Sequence, residues 1–195
     1  YQDVNALQVE LIDLLKSKNL FAVGDPRQAI YGWRGSNVKF ILDFEERYKA
    51  EVINLTKNYR SKRKIVNLFN EAIKEMRLPD LEGVYDGETD IKLLDFENES
   101  VEYEFVVQRI LSAGIERDEI FVLARTNKQL MELSKVFLER GIKHVVKSED
   151  FKSIVEASEG EVTLSTVHAI KGLEAKMVFV VGCNSGFLNL ATVFR

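Results

Sequence analysis

The 195-residue sequence holds one cysteine, two prolines and two histidines. A single thiol, Cys183, excludes an internal disulfide framework. His144 and His168 have no cluster of ligating residues beside them in the sequence, which argues against a structural zinc. Apolar runs such as "MVFVVG" are far too short for a membrane-crossing helix, and no signal-peptide pattern is seen. These absences predict a soluble, cytoplasmic protein of a reducing compartment, with no membrane partner.

What is present is a globular composition, 46% hydrophobic and 30% charged. The length suffices for one domain or two small ones. The net charge of −4 gives no global argument for a polyanionic ligand, but the charge is unevenly placed. Residues 57–64, "KNYRSKRK", carry five cations and no acid, whereas residues 80–104 carry ten acids and one lysine. An anionic ligand responds to the local field more than to the sum. The plainer alternative is two solvated faces of opposite sign.

Hydrophobic periodicity predicts helices in "NALQVELIDLLKS", "NVKFILDFEERY", "SKRKIVNLFNEAIKEM", "SVEYEFVVQRILSAG" and "KQLMELSKVFLERG". Between and after them lie short apolar runs read as strands: "LFAVG", "EVINL", "IKLLDF", "EIFVLA", "HVV", "EVTLSTV" and "MVFVVG". Short strands alternating with amphipathic helices define an α/β fold with largely parallel sheets. Residues 54–61 are the linker candidate. Residues 79–89, with Pro, Gly and acids, read as a surface loop within the second unit.

In open parallel sheets, ligands bind at the carboxyl ends of the strands. "LFAVG" ends in a loop that gathers an amide (Gln28), two rings (Tyr31, Trp33) and a guanidinium (Arg34). An amide can donate to a phosphate oxygen and accept from a water at once, and rings beside a cation suit a single nucleic-acid strand. Taken alone, the loop reads more simply with Trp33 as a core ring and Arg34 as the partner of an acid such as Glu45. In "NYRS", Ser61 is a helix-cap candidate, Tyr59 offers a face to a purine, and Arg60 can reach a terminal phosphate. Arg125 and Asn127 follow "EIFVLA", Asn127 as cap or phosphate donor. Thr166, His168, Lys171, Gly172 and Glu174 follow "EVTLST", with donors for phosphate and a carboxylate for ribose hydroxyls.

Joined in order, these pieces resemble the UvrD/Rep/PcrA-type superfamily 1 helicases. "YQD" resembles the end of their Asp-Glu-x-Gln-Asp box, "VGDPRQAIYGWRG" the third motif and "LTKNYRS" the fourth. "FVLARTN" resembles the next strand-end motif and "LSTVHAIKGLE" the fifth. The resemblance covers the chain to about residue 188. It implies RecA-like architecture of the phosphate-loop NTPase type: residues 1–53 as the C-terminal part of a first domain, residues 54–195 as the second. It implies ATP and Mg²⁺ as cofactors, both held mainly by residues upstream of this chain. Gln28 and Arg60 would be catalytic; Gln28, Tyr59, Arg60, Lys171, Gly172 and Glu174 would hold the nucleotide. Tyr31, Trp33, Arg34, Arg125, Asn127, Thr166 and His168 would contact single-stranded DNA or a single/double-strand junction. The implied activity is 3′-to-5′ translocation driven by ATP. Alternatives are a non-catalytic accessory protein derived from such a helicase, or the helicase part of a RecB/AddA-type recombination nuclease.

The sequence departs from this pattern in several places. It opens inside the Asp-Glu-x-Gln-Asp box, contains no G-x-x-x-x-G-K-[ST] loop, and ends before the sixth motif. Only a short connection joins "GIKHVV" to "EVTLSTVH", where these helicases carry a large inserted subdomain. Ala175 stands where an aromatic is usual and Asn189 where proline is usual. The chain therefore reads as a fragment, and the positioning half of phosphoryl transfer is missing from it. Purified alone, it is expected to release no phosphate from ATP above background, with or without single-stranded DNA. A DNA-stimulated rate in a phosphate-release assay would overturn the fragment reading.

Overall fold

The structure, a computed structural model, describes residues 1–149 and 158–183. The chain forms two compact units, Tyr1–Leu94 and Asp95–Arg195.

In the second unit, four parallel strands and two long helices build the core. Helix α5 (Glu99–Ser112) leads to β3 (Ile120–Ala124), then α6 (Asn127–Glu139), β4 (His144–Lys147), β5 (Val162–Thr166) and β6 (Met177–Val180). The strand order is β4-β5-β3-β6, all parallel. One row of side chains runs across the sheet, because Val146 pairs with Leu164, Leu164 with Val122, and Val122 with Phe179. Leu130, Leu133 and Phe137 of α6 recur at helical spacing and pack on this face with Val106, Val107 and Ile110 of α5. The opposite face of β5 is polar yet buried, with Thr163 and Ser165; the Ser165 hydroxyl donates to the Thr166 carbonyl at 3.0 Å. Burial, then the nearby Glu99 charge, pushes the Tyr103 phenol up to about 12, so it stays neutral inside the core.

His144 belongs to this packing. Its Nε2 lies 2.7 Å from Ser134 Oγ, its Nδ1 lies 2.9 Å from the Ile142 carbonyl, and its ring meets Phe137 edge-on. Among the described residues no group of three or more His, Cys, Asp or Glu side chains is placed to hold a metal. No helix among them is long and apolar enough to cross a membrane.

The first unit is less regular. Helix α1 (Ala6–Leu15) opens with a capping box between Asn5 and Gln8. The helix expected over "NVKFILDFEERY" is two short helices, α2 (Lys39–Leu42) and α3 (Phe44–Tyr48), parted at Asp43. Asp13 of α1 accepts from Arg47 and, at 2.8 Å, from the Tyr48 hydroxyl. The Arg47 hydrogen bond, with Tyr48 second, holds the Asp13 carboxyl below the usual range. Strand β1 (Lys57–Lys62) pairs in parallel with β2 (Glu82–Tyr85), and α4 (Arg63–Ala72) follows β1 directly. Cations in the first turn of a helix oppose its dipole. Here Arg63 is met by Asp86 through two bonds of 2.8 and 3.1 Å.

Several expected elements differ. "LFAVG", "EVINL" and "IKLLDF" are not strands, because an apolar run supplies a face but a strand needs a hydrogen-bonded neighbour. In the first unit the only ladder among the described residues joins β1 to β2. Residues 79–89, expected to be loop, contain β2, and "NYRS" lies on β1 instead of opening the helix. Lys62 is the N-cap of α4 and makes no side-chain cap bond, so Ser61 is not the cap.

Truncating Phe137, fully buried at the centre of the second unit, should cost about 3–5 kcal/mol. Urea denaturation of Phe137→Ala against the parent chain measures this loss.

Candidate functional site

Most of the singled-out residues fall into two groups, one in each unit. In the first, the Asp25 carboxylate organises the loop. Its Oδ1 accepts from Arg27 N at 3.1 Å and Arg27 Nη1 at 3.4 Å, and its Oδ2 accepts from Gln28 Nε2 at 3.0 Å. Asp25 is the N-cap of a 3-10 turn, Pro26–Gln28, whose proline presets the backbone angle. The Asp25 N–H is held in turn by Gln2 Oε1 at 3.3 Å. Arg27 Nη2 donates to the Pro79 carbonyl, tying the loop to the segment after α4.

A second 3-10 turn, Gly32–Arg34, carries Trp33 to the surface, where 59% of it is exposed. Trp33 is therefore not a core ring. The Arg34 guanidinium lies over the Trp33 ring at 4.6 Å and the Tyr31 ring at 5.3 Å. Such cation–π contacts at the surface contribute about 0.5–1 kcal/mol each and hold a flat, charged stack open to solvent.

On β1, the pairing register with β2 breaks between Asn58 and Lys62. Asn58 Oδ1 accepts from the N–H groups of Arg60 at 3.1 Å and Ser61 at 2.9 Å, satisfying backbone donors there. Tyr59 and Arg60 are both exposed, Tyr59 over 62% of its surface.

In the second unit the carboxyl ends of β3 and β5 lie side by side, Ala124 against Thr166. Arg125, Thr126 and Asn127 therefore share one sheet edge with Thr166 and His168. Arg125 Nη1 is 3.0 Å from each ring nitrogen of His168, which is 8% exposed. Thr166 is buried as well, and its hydroxyl oxygen accepts from Ala169 N at 3.1 Å. Thr126 caps α6 in a box with Gln129, so the cap is the threonine and Asn127 is the first helical residue. After β5 the chain turns twice, with Ile170 N bonded to the Thr166 carbonyl and Leu173 N to the Ile170 carbonyl. Lys171 is half-buried and Glu174 exposed in this turn. Gly172 has φ +92, a conformation that strains any residue with a Cβ, and a Cβ there would meet nothing within 4 Å.

Sequence reasoning missed Asp25, Asn58 and Gln129 as organisers of these corners. Asp25 before Pro26 and the spacing Thr126-x-x-Gln129 are both cap signatures that could have found them. No local pattern marks Asn58. Asn189 lies outside the described residues.

A parallel α/β unit with polar sets at its strand ends is the architecture of a RecA-like helicase domain. Residues 1–49 match the UvrD/REP helicase N-terminal domain, and residues 53–159 match the UvrD-like helicase C-terminal domain. The second match covers more than half of the chain, which belongs to the UvrD-like helicase family. The chain is similar to the ATP-dependent DNA helicase PcrA of Staphylococcus epidermidis, 39% identical over 155 residues, and to that of Staphylococcus aureus, 37% identical over 155 residues. Each match covers 75% of this chain and 21% of the relative, so the chain spans about a fifth of the length of these proteins.

Replacing Thr126 by Val keeps its shape and removes the capping oxygen. The expected loss is about 1 kcal/mol of stability in the second unit, read by chemical denaturation.

Proposed function

We propose that this chain is part of an ATP-dependent helicase that translocates 3′-to-5′ on single-stranded DNA and unwinds single/double-strand junctions in the cytoplasm. The observation that carries the reading is the exposed Trp33–Arg34–Tyr31 stack in the same loop as Gln28. π faces suit bases, which contribute roughly 1–3 kcal/mol per stacked base, and a guanidinium suits the phosphates between them. Gln28, a few residues away, then senses the terminal phosphate of ATP. One loop thus meets both ligands, and its displacement on hydrolysis moves the stacking platform.

Under this reading the two RecA-like domains meet near residues 53–54, in keeping with the break between the two family matches. Tyr59 stacks on the adenine and Arg60 stabilises charge on the transferred phosphoryl group. Their side-by-side exposure on β1 fits that use. Lys171, Gly172 and Glu174 serve the phosphates and ribose. Arg125, Asn127, Thr166 and His168 serve the DNA strand, Thr166 and His168 from buried positions. Bound ATP supplies the free energy for translocation. Under the same reading, Mg²⁺ would be held mainly by residues upstream of this chain.

The test uses the whole helicase with Trp33 as its sole tryptophan. Single-stranded oligonucleotide should quench the indole emission, with an affinity that falls as salt rises. Arg34→Ala should weaken binding and flatten the salt slope, while Trp33→Ala weakens binding and leaves the slope nearly unchanged. Arg60→Ala should lower kcat by about 10³-fold, and Tyr59→Ala should chiefly raise the KM for ATP. Unmoved emission at saturating DNA, together with a normal kcat in Arg60→Ala, would end the reading.

A further inference from the structure

The chain builds the same capping box twice, and the two copies differ in one respect. At α1, Gln8 bonds back to Asn5 and stays exposed. At α6, Gln129 bonds back to Thr126 and is only 3% exposed. A cap does not require burial, and burying a primary amide is unfavourable unless both ends are used. The Oε1 end is used: it accepts from Thr126 N at 3.2 Å and from Thr126 Oγ1 at 3.1 Å. The Nε2 end is buried with no hydrogen-bond partner among the described residues.

What Nε2 meets is Gly182, just past the end of β6. A Cβ on Gly182 would lie 2.2 Å from Nε2, and Gly182 has φ +66, so this position excludes side chains on two independent grounds. The Gly182 N–H donates to Glu102 Oε1 of α5 at 3.0 Å. One amide therefore touches the first turn of α6 on one side and the end of β6 on the other, and the end of β6 is tied to α5. Between the last residue of β3 and the first of α6 stand only Arg125 and Thr126. Any rotation of the first turn of α6 therefore moves Arg125 and Asn127.

The geometry points to Gln129 as a positioning residue for DNA binding: wedged against Gly182, its amide fixes the β3–α6 corner from which Arg125 and Asn127 project. The inference rests on the DNA reading above. It gives the buried amide a role that a cap alone does not require, since pre-set contacts lose less freedom when the strand binds.

The test is a mutant cycle in the whole helicase, read by the Kd for an oligo-dT probe and by the Tm. Gln129→Ala should raise the Kd about tenfold, and adding it to a variant carrying both Arg125→Ala and Asn127→Ala should cost little more than that variant alone, because Gln129 acts through those two contacts. Gly182→Ala, whose methyl group displaces the amide, should raise the Kd similarly, and should add little in the Gln129→Ala background. Should Gln129→Ala fail to fold, Gly182→Ala read in the same assay takes its place. A lowered Tm with the parent Kd in both variants, while Arg125→Ala combined with Asn127→Ala weakens binding, would make Gln129 merely structural and overturn the inference. A parent-like Kd in that combined variant would instead remove the DNA contacts themselves, and the inference would fall with them.

Discussion

The ladder that β3 makes with β5 on one side and β6 on the other is the constraint on which the second unit depends. Parallel strands cannot be joined by tight turns, so each needs a crossover, and crossovers cover the sheet. In this unit α5 and α6 lie on the face that presents Ile120, Val122, Val162 and Leu164. Parallel pairing also sends every strand out of the sheet at the same edge. Arg125 is distant in sequence from Thr166 and His168, yet Ala124 pairs with Thr166 and so delivers all three to one place. The candidate site of this unit follows from strand register.

At three corners a polar side chain, not a hydrophobic one, sets the geometry. Asp25 gathers Arg27 and Gln28 in the first unit, Asn58 holds the break in register at Tyr59 and Arg60, and Gln129 with Thr126 closes the β3–α6 turn. A backbone leaving a sheet exposes N–H groups that the ladder no longer satisfies. Side chains of Asp, Asn, Thr and Gln can satisfy them within two or three residues, and this fixes the direction in which the next side chains project. Long, flexible groups such as Arg34 are then held by stacking on neighbouring rings.

The five helical patterns in the sequence correspond to α1, the α2–α3 pair, α4, α5 and α6, because an apolar stripe at helical spacing carries its own hydrogen bonds with it. Strands depended on context. "EIFVLA", "HVV", "EVTLSTV" and "MVFVVG" found neighbours, while "LFAVG", "EVINL" and "IKLLDF" did not. The pairing of β1 with β2 was illegible, since "KNYRSK" and "EGVY" lack the alternation that marks a half-buried strand. Within the site, the residue types of the loop at Trp33 were legible from their clustering, and the exposure of the ring was not.

By itself the sequence determined the α/β class, the helix positions, the order of the polar sets along the chain and the likeness to UvrD-type helicases. Each of these is local, written in residue type and short-range spacing. Tertiary structure alone decided which apolar runs became strands, that Tyr59 and Arg60 sit where the β1–β2 register breaks, that His168 is buried against Arg125, and that Gln129 meets Gly182. Those outcomes depend on partners far apart in the chain, and pairing energy between distant segments leaves no periodic trace in either segment alone.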